Sequence, residues 1–347
     1  MQDHKLLKTV TALLFAAVMA AGMAGHGFGA ANSPAADAKP VNVVWYPNES
    51  SNTHDEVRAE VGRLIERATG RKVEHKLTTE YTIAIESISS GAADIAMAMG
   101  AVGYIEAQNR NPRVGVLFVN GDQNGKLDEA KYFSWLCVNT GSANSYRTGG
   151  AYSIDNIKGK KMSFVSNSST SGFRVPTSAI VSHFANDKLN EDDLLPDGKF
   201  FKEVFFGGSH QGSAVNLVSG NVDVAAFCDI ELAPYIELKS GQENTVGAVY
   251  GVKTGADAPF GQHAGKEFAV ISCTPVFNGP NAYNPRNLSD AEIEAVRALF
   301  TSDEVANNKI LFYDDAGAGG AVGLYKTSSS KGYVRVDDSW YDPYRNM

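Results

Sequence analysis

Residues 166–176 read SNSSTSGFRVP: Ser169, Thr170 and Ser171 set three hydroxyls side by side, ahead of a glycine and an apolar run of helical period. One serine or threonine suffices to cap a helix, because one side-chain oxygen accepts one orphan N–H of the first turn. Three in succession offer three hydroxyl donors plus consecutive backbone N–H groups at the positive end of a helix dipole. That is the chemistry of a site for a tetrahedral oxyanion. The turn holds no lysine or arginine, so such a site would select by hydrogen bonding more than by charge. From this stretch alone, capping and anion binding both stay open.

Elements must hold that turn. KKMSFVS reads as a strand leading into it, and GFRVPTSAIVSHFAND as the helix leaving it, with Pro176 near the first turn, where a missing N–H costs little. From Pro40 onward, β-rich apolar segments alternate with helical ones, the mark of βαβ units around a sheet. YTIAIESISSGAADIAMAMG, from Tyr81, and HQGSAVNLVSGNVDVAAFCD, from His210, repeat one pattern of helix, Ser-Gly, Asp and small-residue strand. Ser90, Gly91 and Asp94 match Ser219, Gly220 and Asp223, and the two aspartates read as structural anchors before each strand. The repeat implies two lobes of like construction. Ligands of such sheets sit at the carboxyl ends of strands, which puts Tyr81 and His210 at matching mouths, and Gly100 and Asp229 at equivalent strand ends.

YFSWLCV (132–138) and FAVISCTPV (268–276) are the expected crossings between the lobes. The expected architecture is therefore α/β: a two-lobe fold, each lobe a mixed, mostly parallel sheet flanked by helices, joined by two hinge strands. Lobe one would comprise 40–136 plus 275–347, with a helix from Asp290 rejoining it, and lobe two 137–274.

The 347 residues are 43% apolar and 10% aromatic, enough for two cores, and carry a net charge of −8 without a basic run. This argues against nucleic acid or an anionic membrane as partner and for a small solute or another protein. Lys5 and Lys8, an apolar stretch to about Ala24 and small residues after it read as a secretory signal covering 1–31, with cleavage as late as Ala38. No cysteine precedes Cys137, so no lipid-attachment cysteine is expected, and the periplasm is the expected compartment. Cys137, Cys228 and Cys273 lie in strand-like apolar segments, with no C-x-x-C and no zinc spacing. They read as buried thiols, and no metal or cofactor is expected.

Four motifs in order resemble one family. NSSTSGFRVP, TEYTIAIESISSGAADIAM, GGSHQGSAVNLVSGNVDVAAF and TPVFNGP are similar to signatures of the periplasmic phosphonate/phosphite/phosphate-binding components of ABC transporters, a branch of the type II solute-binding proteins. The resemblance implies two lobes closing over a cleft, with Ser169, Thr170, Ser171 and His210 on one side of an anion and Tyr81 on the other. It also implies a monomer that delivers its ligand to a membrane permease. Where the family commonly has another aromatic, this chain has Met97, Ala98 and Met99, so that contact would move to Tyr46 or Tyr104. Asp229 and Glu231 flank the position of a cation-recognising carboxylate, and Asn278 stands in the return hinge where an acid can occur.

Two other readings remain at this stage. Cys228 beside the cleft would suit a soft oxyanion such as arsenite, sensed with a signalling kinase as partner. Ser209, His210 and Cys228 would be the residues of a secreted hydrolase, although GGSHQG does not match a nucleophile elbow.

Overall fold

The computed structural model describes residues 39–48, 54–196, 198–314, 323–345 and 347. The expected signal peptide lies outside them. Everything described belongs to one compact unit.

In chain order, β1 (Val41–Trp45), α1 (Asp55–Thr69), β2 (Val73–Leu77), α2 (Tyr81–Ser90), β3 (Ile95–Met97), α3 (Ala101–Arg110) and β4 (Gly115–Asn120) open the fold. There follow β5 (Lys131–Asn139), β6 (Lys161–Phe164), α4 (Val175–His183), β7 (Glu203–Phe206), α5 (His210–Val218), β8 (Val224–Cys228) and the short α6 (Asp229–Leu232). Then come β9 (Ile236–Ser240), β10 (Val249–Val252), β11 (Glu267–Phe277), β12 (Pro280–Tyr283), α7 (Asp290–Phe300) and β13 (Tyr333–Val334).

The strands make two mixed sheets. One has the order β13-β4-β12-β3-β1-β2, the other β9-β10-β11-β5-β8-β6-β7. Parallel pairs lie at one end of each, β2 with β1 and β1 with β3 in the first, β7 with β6 and β6 with β8 in the second. The neighbours that carry chain between sheets run antiparallel: β12 against β3, and β5 against β8 and β11. β5 and β11 pair along their lengths within the larger sheet, so the expected lobe limits at 136/137 and 274/275 fall inside these two strands. The chain passes between sheets just before and just after them, across 121–130 and at 278–279.

The repeat has a physical basis. Tyr81 and His210 are the first residues of α2 and α5. Gly91 and Gly220 follow those helices at φ 77° and 78°, in the left-handed region that favours glycine. Asp94 Oδ2 accepts the N–H of Asn42 at 2.8 Å, and Asp223 Oδ2 accepts that of Lys161 at 2.9 Å. Each aspartate thus ties the turn before its own strand to the start of the neighbouring strand. α7 begins, as expected, at Asp290, where Ser289 and Glu292 form a reciprocal capping box. It packs with α1 and β1 in a core containing Val57, Leu64, Ile293, Val296 and Phe300.

Candidate functional site

The hydroxyl turn follows β6 and opens a short, wide helical turn, Thr170–Arg174, that runs into α4. Each of its three hydroxyls has a separate task. Ser169 Oγ accepts the N–H of Gly172 at 3.1 Å, capping its own turn. Thr170 Oγ1 accepts the N–H of Val102 at 2.9 Å, capping α3, a helix of the other sheet whose own N-cap, Gly100, has no side chain to offer. Ser171 sits against the Tyr132 phenol and the Cys228 thiol, while its carbonyl accepts the Ser134 hydroxyl at 2.6 Å. In two of the three the oxygen is used as an acceptor, so the hydroxyl hydrogen remains to be donated. Capping and ligand binding are therefore not alternatives here.

A small cavity of about 50 Å³ lies beside this turn, room on the order of four water-sized groups. Its lining joins Tyr81, Met99 and Gly100 from the smaller sheet's elements to Ser169, Thr170, Ser171, His210 and Cys228 from the larger sheet's, with Glu231 and Asn278 as well. Among the described residues that line it there is no lysine or arginine. Three helical segments meet it at their starts, α3 through its N-cap Gly100, the wide turn through Thr170 and Ser171, and α5 through His210, and helix starts leave N–H groups without intrahelical partners.

The polar side chains are preset. His210 is buried and its Nδ1 accepts the Cys228 N–H at 3.1 Å, so the ring proton sits on Nε2. Burial lowers its pKa to about 3, which keeps the ring a neutral donor. The Tyr81 hydroxyl donates to Asn48 Oδ1 at 3.0 Å, and Asn48 Nδ2 donates to the Ala98 carbonyl at 2.9 Å. Burial pushes the Tyr81 and Tyr132 phenols well above their usual range. The Cys228 thiol is raised by burial and by the carboxylates of Glu231 and Asp229. A thiol held neutral is a weaker soft-metal ligand than a thiolate, so the site does not favour the arsenite reading. Ser209 Oγ accepts the Gly212 N–H at 3.0 Å as the cap of α5, so it is not set as a nucleophile for His210.

Three candidates lie elsewhere. Asp229 does not line the small cavity: its carboxylate accepts the Phe133 N–H at 2.8 Å and the Asn244 side-chain N–H at 3.1 Å, on an adjoining chamber of about 700 Å³ that shares Asn120, Ile230, Asn278 and Tyr325 with it. Cys228 is extended, and successive residues of an extended chain face opposite ways, so Asp229 turns from the space that Cys228 meets. Tyr46 packs edge-on against Tyr81, ring centroids 4.6 Å apart, with its hydroxyl against Gly103. It lines a neighbouring chamber of about 390 Å³ that shares Asn48, Ala98, Ile230, Glu231 and Tyr325 with the cavity. The Tyr104 hydroxyl donates to Asp338 Oδ1 at 2.6 Å, away from the cavity.

The lining also contains residues not anticipated: Asn48, Asn120, Tyr132 and Tyr325. Tyr132 had a signal in the sequence. Tyr132, Ser134 and Leu136 alternate along β5, and a serine on the buried face of an apolar strand needs a polar partner, here the turn itself.

Comparison with known proteins places this geometry in a class. Residues 43–341 match the family described as the periplasmic substrate-binding protein of phosphonate ABC transporters, and the chain belongs to that family. The family is periplasmic, and its members are transporter binding proteins, not enzymes. The chain is 24% identical over 251 residues to the phosphate-import protein PhnD of Mycolicibacterium smegmatis, covering 69% of this chain and 72% of that protein. Its fold is that of PhnD1 from Prochlorococcus marinus, solved with methylphosphonate (TM-score 0.61, 15% identity, 89% and 96% of the two chains). It is likewise that of a binding component of a phosphonate transporter from Pseudomonas aeruginosa (TM-score 0.60, 19% identity, 89% and 85%). These are two-lobe type II binding folds. No helix among the described residues is long and apolar enough to cross a membrane.

Proposed function

We propose that the chain captures a phosphonate, phosphite or phosphate-type oxyanion between its lobes and delivers it to the membrane permease of an ABC transporter, acting as a monomer. The observation that carries this reading is the convergence of three helical N-termini and neutral donors on one small cavity between the two sheets. In this reading Thr170 and Ser171 give hydroxyl and backbone N–H donors, His210 gives Nε2–H and Tyr132 its phenol, while Tyr81 gives its phenol by exchanging the Asn48 acceptor for the anion. Asn278 lines the hinge side, and the 390 Å³ chamber leaves room for a carbon substituent. Asp229, Tyr46 and Tyr104 have no ligand contact.

Closure follows from where the donors sit. The Thr170–Val102 bond and a second one, from the Ser168 hydroxyl to Glu106 Oε2 at 3.1 Å, span the two lobes. An anion touching both sides binds the closed form better than the open one and shifts the population toward it. Calorimetric titration with phosphate, phosphite and methylphosphonate tests the reading, and micromolar or tighter binding of at least one is expected. Thr170→Ala with Ser171→Ala should weaken that binding more than ~100-fold, since two charge-assisted hydrogen bonds go, while circular dichroism stays unchanged. Undiminished affinity in the double variant would place the site elsewhere.

A further inference from the structure

We infer that residues 338–345 form a clasp on the return crossing at 278–279, and that Tyr341 and Tyr344 set ligand affinity as positioning residues, by steadying the closed form. Neither lines the cavity. This rests on the receptor reading above and goes beyond it in naming what holds the lobes closed besides the ligand.

The segment is two short helical turns, Asp338–Tyr341 and Asp342–Arg345. It is anchored on α3, the helix whose N-cap Gly100 lines the cavity and whose Val102 N–H is capped by Thr170 from the other lobe. The Tyr104 hydroxyl donates to Asp338, Arg345 Nη2 donates to Gln108 Oε1 at 2.8 Å and pairs with Asp338 at 2.6 Å, and the Tyr104 and Tyr341 rings lie 5.3 Å apart. From that anchorage the segment grips the crossing. The Tyr344 hydroxyl accepts the Phe277 N–H at 2.7 Å, and the Tyr341 hydroxyl donates to the Asn278 carbonyl at 3.1 Å. Both tyrosines are buried, and the Phe277 ring rests against Trp340 with centroids 4.7 Å apart.

The crossing is held from other sides too. The Asn278 N–H donates to the Ala130 carbonyl at 3.1 Å and its Nδ2 to the Asn120 carbonyl at 2.8 Å, which ties the return crossing to both ends of the outward one. Gly279 has no room for a Cβ, which would lie 1.9 Å from the Met99 carbonyl oxygen. Lobe movement therefore falls on a few backbone dihedrals at the crossings. A peptide unit turns as one plane. Rotation ahead of the 278–279 peptide pulls the Phe277 N–H off Tyr344, and rotation behind it also turns the Asn278 carbonyl from Tyr341. The arrangement that holds these bonds also holds the interlobe Thr170–Val102 bond, so they belong to the closed form. Opening breaks at least one of two buried hydrogen bonds, and the closed form is favoured by that difference.

The test compares the full chain with Tyr341→Phe and Tyr344→Phe, each of which keeps the ring and deletes one hydroxyl, with methylphosphonate, phosphite and phosphate as probes. By calorimetry each variant should bind about threefold to tenfold more weakly than wild type, as loss of one buried hydrogen bond from the closed form alone implies. Stopped-flow fluorescence should place that loss in faster dissociation, with association unchanged within about twofold. Small-angle scattering should show the ligand-free variants more open than wild type and the saturated ones as compact. In the wild type itself, exchange of the Phe277 amide hydrogen should slow on ligand binding, because its acceptor is then held in place. A merely structural segment would lower the melting temperature on substitution and leave affinity, rates and exchange alone.

Wild-type affinity in both variants, whatever their melting temperatures, would overturn the inference while leaving the receptor standing. A loss that lies in association, with dissociation unchanged, would do the same. Silence of the wild-type chain toward all three probes would instead remove the receptor reading and this one with it. Equal exchange of the Phe277 amide with and without bound ligand overturns the inference even if neither variant folds.

Discussion

Two ionisable side chains flank Cys228 and meet opposite fates. His210, on the cavity side, accepts the Cys228 N–H and is deprotonated by burial, its pKa lowered to about 3. Asp229, one residue on, turns to the far chamber, accepts the Phe133 N–H, and is raised by burial to about 7. Burial drives both toward neutrality, since desolvation disfavours whichever form is charged. The imidazole, its acceptor nitrogen satisfied, still has a donor to present. The carboxyl group is used up in holding β5 to the start of α6. A group near a cleft is therefore available to a ligand only if its structural bonds leave the right atom over.

The contrast can be broken most strongly at His210. His210→Ala removes one donor to an anion, worth about 1.5–3 kcal/mol or ~10- to 100-fold in affinity. It also leaves the buried Cys228 N–H unpaired, costing about 1–3 kcal/mol of stability. Calorimetry and urea melts measure the two losses separately. Gly100→Ala acts on closure: its Cβ would lie 2.7 Å from Thr170 Oγ1, so affinity should fall about tenfold and small-angle scattering should report a more open chain. Tyr81→Phe deletes the phenol and its bond to Asn48, with an expected loss of about threefold to tenfold. Asp229→Asn should leave affinity unchanged within error.

Stability against pH sharpens the same comparison. His210, lowered from 6.5 to about 3, contributes stability that is present above pH 6.5 and lost as pH falls toward 3. Asp229 has the opposite sign: raised from 3.8 to about 7, it favours the folded state at low pH, and that advantage is lost as pH rises from 3.8 through 7. Between about pH 4 and 6.5 the two nearly cancel. Urea melts across that window should climb with pH in Asp229→Asn and decline with pH in His210→Gln. Like slopes in the two variants would refute the assignment of either group.

Much of the site was legible because it is local. The hydroxyl turn, the helix starts at Tyr81 and His210, the left-handed glycines and the anchoring aspartates each depend on a few neighbouring residues and on the N–H and C=O groups that a helix end leaves open. The two halves could be aligned by counting residues. Less legible was the lining drawn from the crossings. Tyr132 read as hinge chain, and Asn48, Asn120 and Tyr325 belong to no repeat, yet all four line the cavity; Asn278 stands out only through the return-hinge motif.

The sequence by itself determined the repeated strand and helix units and the hydroxyl turn, with the helix starts beside it, on which the proposed site rests. Tertiary structure alone decided that Thr170 caps a helix of the opposite lobe, that Glu231 faces the cavity and Asp229 does not, and that Tyr46 and Tyr104 turn elsewhere. The reason is geometric. Which face of a segment meets a cleft depends on how two sheets far apart in the chain come together: Cys228 and Asp229, successive residues where extended chain enters α6, point opposite ways, and Glu231 lies further round the turn of that helix.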